Sequence, residues 1–248
     1  MIGYMASNIL NRFKRKLIRI RLQPIRVFCF HQVSERLAPD VQCEPDWMSL
    51  SEFKQKISDL QKVGYVFISM QEAYRHLKDD LVRSKKYAVL TCDDGLKCQA
   101  ELILWLEEEN IPMTMFVTAK NLDGKSCGPQ ILDYFKITNK EAERKLAEQL
   151  YLNETELNAI DSPMITIGMH GYEHVNSEQL EVNLFEEHVN KCIEAMQSHP
   201  RYISFFAYPY GRHTEQTDKV LEKKNVVPVY IDKMNNINNV TCVHRELL

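Results

Sequence analysis

Two carboxylates and two imidazoles, each pair directly following a short apolar run, are the residues of this chain best suited to chemistry. Asp93 and Asp94 follow one run, and His170 and His174 follow another. Short apolar runs of this kind are typical of buried strands. Two neutral imidazoles and one carboxylate bind a divalent ion such as zinc and leave positions open for water and substrate. Because a second carboxylate can take a proton from water that the ion acidifies, the pattern indicates a one-metal hydrolase.

Each pair also has an ordinary explanation. Two aspartates before Gly95 make a common turn, and an H-x-x-x-H spacing arises by coincidence on helices and loops. Gly171 and the strand-like run before His170 disfavour a regular helix, so we expect the histidines to converge from a loop. The metalloprotease pattern is excluded, because it needs a glutamate at the position of Gly171.

The segments that must position these residues alternate between strand and helix. Capping-box patterns at Ser49 with Glu52, and at Ser69 with Glu72, predict the starts of the first two helices. Such alternation is typical of a parallel β/α fold. The predicted strands are 26–30, 65–68, 87–92, 113–117, 164–169, 202–208 and 226–231.

The reactive side chains lie at the ends of these strands. In a β/α barrel the carboxyl ends of all strands share one face, where catalytic sites assemble. The sequence therefore predicts one site. The residues at or just after strand ends are His31, Asp93, Asp94, His170, His174 and Tyr210.

The alternation is interrupted around residues 125–163 by a polar, helix-prone segment. Thr138 with Glu141, and Asn153 with Glu156, resemble two N-caps. We expect a helical insertion here that acts either as a lid or as a packing helix pair.

Composition limits the class of protein. A chain of 248 residues with 44% hydrophobic content can bury a full core, and we expect one catalytic domain over residues 25–248. A net charge of −3 disfavours a general nucleic-acid binder, so no nucleic-acid partner is expected. Seven cysteines without a C-x-x-C pair favour a reduced, intracellular setting.

Residues 1–24 form a separate basic segment with six basic residues and no acidic one. Apolar residues recur between the charges at helical spacing, which predicts a basic amphipathic helix. Such a helix either contacts an anionic membrane peripherally or packs on the barrel with its charges in water. The segment lacks the apolar core of a signal peptide. We therefore expect a cytoplasmic protein that is, at most, peripheral on the inner face of the membrane.

Three ordered motifs carry a family resemblance. Thr91-Cys-Asp-Asp-Gly95, His170-Gly-Tyr-Glu-His174 and Phe206-Ala-Tyr-Pro-Tyr-Gly211 resemble the first three motifs of the polysaccharide deacetylases, carbohydrate esterase family 4. The segment 28–33 is similar to one in the branch that includes poly-N-acetylglucosamine deacetylases. The resemblance spans about Arg26 to Arg245. It implies a distorted (β/α)7 barrel and hydrolytic removal of an N-acyl group from an amino sugar.

The resemblance also implies roles for individual residues. Asp93 corresponds to the general base, and Asp94, His170 and His174 correspond to the ligands of one divalent ion. Zinc is the expected metal, with Co²⁺, Ni²⁺ and Fe²⁺ as alternatives. In the third motif the backbone N–H of Tyr210 corresponds to an oxyanion donor. The substrate-binding residues implied are Tyr208, Pro209, Tyr210 and Gly211, although the two tyrosines could instead belong to the core.

The chain departs from the commoner family pattern at two places. The late Leu-x-His motif that supplies the general acid is poorly matched, so we expect His31 to be the acid and keep His244 in reserve; alternatively, His31 merely bonds a loop. The usual arginine of the third motif is replaced by Ala207. Arg245 is the candidate to supply the missing charge.

Several functions are consistent with these residues. The first is removal of an N-acetyl group from an amino sugar in a glycan, a nucleotide sugar or a lipid-linked precursor of a surface glycan. The alternatives are a deformylase of a lipid-linked formamido sugar and a non-catalytic sugar-binding relic. A structural metal site would need four protein ligands, and only three good ones are found.

Overall fold

Seven parallel strands close into a barrel in the computed structural model, which describes residues 24–35, 47–79, 85–232, 234, 236 and 241–248. Around the ring the order is β1, β3, β4, β5, β6, β7, β8, with β8 returning to β1. Strand β2 lies outside the ring and pairs with the first half of β3. The strands are β1 Arg26–Phe30, β2 Tyr65–Phe67, β3 Lys86–Cys92, β4 Met113–Val117, β5 Ile165–Met169, β6 Tyr202–Ala207, β7 Val227–Ile231 and β8 Val243–Leu247.

This architecture confirms the predicted distorted (β/α)7 barrel. All seven strands expected from the sequence are present, and β8 is an addition that closes the ring. The predicted N-terminal helix of residues 1–24 falls, apart from Pro24, outside the described residues.

Both faces of the barrel wall are buried, which explains why its strands are near-continuous apolar runs. Successive side chains of a strand point to opposite faces. One set, including Val89, Phe116 and Phe205, packs inside the barrel. The alternate set, including Leu90 and Phe206, packs outward against the helices.

The helices begin largely where the sequence indicates. Ser49 and Glu52 form the predicted capping box, and the Ser69 hydroxyl accepts from the Glu72 N–H at 3.2 Å. No helix within the described ranges is long and apolar enough to cross a membrane. The helices are α1 Leu50–Lys62, α2 Met70–Lys78, α3 Lys97–Ala100, α4 Ile103–Glu108, α5 Pro129–Tyr134, α6 Lys140–Leu150, α7 Glu154–Asn158, α8 Val182–Met196 and α9 Glu215–Lys223.

The insertion at 125–163 is helical, as predicted, and contains α5 to α7. The cap of α6 is Asn139 rather than Thr138, because the Asn139 side chain accepts from the Ala142 N–H at 2.9 Å. Asn153 forms the expected capping box with Glu156. A small apolar cluster docks the insertion on the loop after β3; its buried members are Leu96, Cys127, Leu146, Ala147, Leu150 and Tyr151.

Gly168 on β5 leaves room inside the barrel for a phenyl ring. A Cβ at this position would lie 2.6 Å from both Cδ1 and Cε1 of Phe116. We expect Gly168→Ala to destabilise the protein by about 1–3 kcal/mol, the usual cost of overpacking a core. Chemical denaturation measures this loss. Gly128→Ala is the control, because its added Cβ would meet its nearest atoms at 3.5 Å; equal losses in the two variants would contradict the packing described.

Candidate active site

The turn after β3 brings two adjacent carboxylates into one region. Asp93 continues the inward-facing side of β3. On an ideal strand the next residue, Asp94, would point to the opposite side. The backbone of Asp94 is instead left-handed, with φ of 76°, a conformation in which aspartate is enriched. Gly95 continues the turn with φ of 78°. Both carboxylates are consequently buried beside the two histidines.

Hydrogen bonds to backbone and hydroxyl groups fix the orientation of the two imidazoles. The Nδ1 of His170 lies 2.9 Å from the carbonyl oxygen of Ala207, and the Nδ1 of His174 lies 2.7 Å from the Tyr210 hydroxyl. That hydroxyl can donate onward to the His174 carbonyl at 3.3 Å. These contacts favour a proton on each Nδ1, because a ligating histidine normally donates its other N–H to such an acceptor. Each ring therefore presents the lone pair of its Nε2.

The two Nε2 atoms converge on Asp94. Its Oδ1 lies 3.5 Å from the Nε2 of His170 and 3.2 Å from that of His174. Burial lowers the pKa of His170 to about 4, which keeps the ring neutral. Burial raises the pKa of Asp94, but the two histidines outweigh it and bring the pKa to about 2. Two imidazoles and a carboxylate with ligand atoms within 4.8 Å of one another suit a divalent ion such as zinc, so the residues fit this group.

A buried arginine binds Asp93, whose Oδ2 also lies 3.8 Å from the Nε2 of His170. Nη1 and Nη2 of Arg245 donate to its two carboxylate oxygens at 2.6 and 2.9 Å. Such a two-point contact is strong and directional. Burial raises the pKa of Asp93, but Arg245 and His170 outweigh it and hold that pKa well below its usual range. Arg245, the candidate for the charge missing at Ala207, thus forms a direct ion pair with Asp93.

Gln99 joins the ends of two barrel strands at the site, and the sequence gives no motif that could have revealed it. Its buried Nε2 donates to the carbonyl oxygens of His31 at 2.9 Å and of Asp93 at 2.5 Å. Its Oε1 accepts from the Leu96 N–H at 3.0 Å. The glutamine therefore fixes the position of His31 relative to Asp93.

The structure brings His31, and not His244, to Asp93. A ring nitrogen of His31, the Sγ of Cys29 and a carboxylate oxygen of Asp93 lie within 4.8 Å of one another. The His31 Nδ1 is buried without a hydrogen-bond partner among the described residues.

His244 and Arg245 are neighbours on β8, so their side chains point to opposite faces of the strand. There its Nδ1 lies 2.9 Å from both carboxylate oxygens of Asp232.

The third motif separates two tyrosines that are only two residues apart. Tyr208 is 1% exposed, donates to Asp218 at 2.9 Å and packs with Phe185 outside the barrel. Tyr208 therefore lies in the core, the alternative considered for it from the sequence. It does not line the cavity that opens beside His174. Tyr210 adopts φ of 58° in the turn Pro209–Gly211, is 43% exposed and lines that cavity.

A cavity of about 160 Å³ opens beside the metal-ligand cluster. From the barrel it is lined by Asp94, His174 and Tyr210, and from the insertion by Gln130, Ile131 and Tyr134. Asp93, the candidate metal ligands and the cavity together form an arrangement that suits hydrolysis of an amide or ester.

Comparisons with known proteins identify the family and the fold of this chain. The family described as polysaccharide deacetylase matches residues 81–229. Among curated proteins no match was found. Among solved structures the chain is similar to IcaB from Ammonifex degensii, with 21% identity over 91% of this chain and 92% of that one and a TM-score of 0.72.

Two further structures have the same fold. A de-N-acetylase from Aggregatibacter actinomycetemcomitans is 16% identical over 91% of this chain and 95% of that one, with a TM-score of 0.72. The Streptococcus pyogenes deacetylase PplD in complex with acetate is 16% identical over 92% of this chain and 93% of that one, with a TM-score of 0.69. At these identities the similarity concerns the fold.

Proposed function

The chain belongs to the polysaccharide deacetylase family, and from this premise we propose that it is a metal-dependent hydrolase that removes an N-acetyl group from an amino sugar of a glycan or glycan precursor. One observation carries the proposal. The Nε2 atoms of His170 and His174 converge on Asp94, while both carboxylate oxygens of the neighbouring Asp93 accept hydrogen bonds from Arg245. One aspartate is therefore available for coordination and the other for proton transfer.

In this proposal Asp94, His170 and His174 hold one divalent ion, zinc in the first instance and Co²⁺, Ni²⁺ or Fe²⁺ as alternatives. A bound ion of this kind polarises the amide carbonyl and acidifies water. The chain itself supplies the base, because Asp93 is ionised and can accept the proton of the attacking water. The backbone N–H of Tyr210 is proposed to donate to the developing oxyanion, a contact typically contributing about 3 kcal/mol.

The departing amine must be protonated, and we assign this step to His31. Its ring lies within 4.8 Å of Asp93, whereas His244 is committed to Asp232. We expect His31→Asn to lower kcat by about a hundredfold or more, the usual contribution of a general acid, with metal content unchanged. His244→Asn is the matched variant and should retain activity. A larger loss in His244→Asn than in His31→Asn would show that the acid is misassigned.

The acyl group is tested by product analysis. Metal-loaded protein is incubated with N-acetylated and N-formylated amino sugars, and acetate and formate are quantified. Acetate release supports the proposal. Formate release alone would favour the deformylase alternative, and release of neither by folded, metal-loaded protein would favour a sugar-binding relic.

The cellular setting is a further part of the proposal and rests on sequence. We propose that the enzyme acts in the cytoplasm on a nucleotide-linked or lipid-linked precursor, with the basic segment 1–24 against the inner face of the membrane. Retention of the full chain on anionic vesicles at low salt, and its loss when the six basic residues are neutralised, would support membrane contact. Equal retention of both proteins would count against it.

A further inference from the structure

We propose that helix α5 of the insertion is the sugar-binding wall of the active-site cavity, with Tyr134 as a platform for the sugar ring and Gln130 as a partner for its hydroxyl groups. The inference rests on the proposed function, since it specifies how the same site recognises its substrate.

The cavity joins the catalytic barrel to the insertion. Asp94 and His174 line one side of it, and Gln130 and Tyr134 line another. A substrate whose acyl group reaches the metal-ligand cluster would therefore lie against α5 with the rest of its sugar.

Helical geometry explains why these two side chains share the cavity. Gln130 and Tyr134 are four residues apart and therefore lie on one face of the helix. Leu132 and Phe135 instead pack against the apolar cluster beneath the insertion. Tyr134 is 63% exposed, and its ring makes a T-shaped contact with the ring of Phe135, with centroids 5.0 Å apart and planes at 82°. Tyr134 thus places an exposed aromatic side chain in the cavity lining.

The position of this wall is tied to both loops that carry the metal ligands. The Leu152 N–H at the far end of α6 donates to the Gly95 carbonyl at 3.0 Å, directly after Asp94. On the other side, a Cβ at Gly128 would lie 3.5 Å from the Cβ of His174. The insertion therefore packs against the loops of both ligand motifs, and this holds α5 at a fixed place relative to the reacting centre.

The chemistry of this wall matches an amino sugar. A pyranose ring has apolar C–H faces and a polar hydroxyl rim, so it is complementary to an aromatic face next to an amide. Binding sites are commonly apolar or aromatic with a few placed polar groups, and a glutamine amide both donates and accepts. Because α5 contributes none of the metal-ligand or proton-transfer groups, its contacts should affect binding much more than the chemical step.

The test measures kinetics on an oligomer of N-acetylglucosamine with metal-loaded, full-length protein. Tyr134→Ala should raise KM on the order of tenfold, the size of effect seen when a tyrosine anchor is truncated, with kcat and metal content retained. Gln130→Ala should raise KM less, and Tyr134→Phe, which keeps the ring, should stay within about twofold of the original. Gln149→Ala is the matched control, since Gln149 is exposed on α6 and does not line the cavity.

Failure of this inference can be told apart from failure of the proposed function. If the original protein releases acyl groups and both Tyr134→Ala and Gln130→Ala keep its KM, the wall assignment is overturned and the enzyme assignment stands. If the original protein releases no acyl group from this oligomer or from any of the N-acetylated and N-formylated amino sugars, the enzyme assignment falls, and calorimetric binding of the same oligomer tests whether α5 binds sugar. Weaker binding to Tyr134→Ala than to Gln149→Ala would support the wall; equal binding, or none to the original protein, would overturn it.

Discussion

Replacing Asp93 with asparagine is expected to lower acyl release by about 10²- to 10⁴-fold, the range for loss of a positioned general base, while leaving metal binding intact. Asparagine has the same size but cannot accept the proton. Asp94, His170 and His174 are unchanged, and their ligand atoms lie within 4.8 Å of one another. Metal content by elemental analysis and acetate release by the same sample measure the two properties separately.

Asp232→Asn is the control for this result. Asp232 pairs with His244 and is not part of the cavity lining or of the metal-ligand cluster. The control should release acetate at nearly the original rate. An Asp93→Asn protein that binds metal and still hydrolyses the amide at the original rate would remove Asp93 from the mechanism.

Replacing Arg245 with methionine is expected to destabilise the fold by about 3–5 kcal/mol, because it leaves a carboxylate buried without its partner. Arg245 and Asp93 are 1% and 3% exposed, so water cannot replace the lost contact. Urea unfolding measures the change in the free energy of unfolding. Acyl release should fall as well, since Arg245 holds both oxygens of the base.

A neighbouring ion pair provides the matched comparison. Arg26 and Glu246 also lie 2.6 Å apart, but their side chains are 38% and 33% exposed. Arg26→Met should therefore cost no more than about 1 kcal/mol, the upper range for surface pairs. The double variant Arg245→Met with Asp93→Asn should be more stable than the sum of its single changes predicts, because neighbouring sites couple. Additive losses, or equal losses at Arg245 and Arg26, would contradict a buried pair.

The sequence could predict the barrel because both faces of its wall are apolar. Runs such as 113–117 are buried along their whole length, and this pattern requires no knowledge of distant contacts. Strand β8 was not predicted, because its sequence lacks such an apolar run. Its inward position 245 is an arginine and its outward positions include His244 and Glu246, so no hydrophobic run marks it.

The features of the candidate site also differ in whether the sequence alone predicts them. The ligand and base motifs are local in sequence, but the pair between Arg245 and Asp93 spans 152 residues and depends on closure of the ring. Gln99 and the cavity face of α5 depend on how separate segments pack. Strand alternation would place Tyr208 and Tyr210 on the same face, and the left-handed backbone at Tyr210 separates them. No local pattern determines these features.

A crystal structure of the metal-loaded protein, with the ion located by its anomalous scattering, tests the central claim most directly. We predict one ion bound by Asp94, His170 and His174 at about 2.0–2.2 Å, with Asp93 still paired to Arg245 and not coordinated. Cys29, His31 and Asp93 form the other group in the described part of the chain whose ligand atoms lie within 4.8 Å of one another. An ion held by that second group, or coordinated by Asp93, would contradict the division of work between the two aspartates.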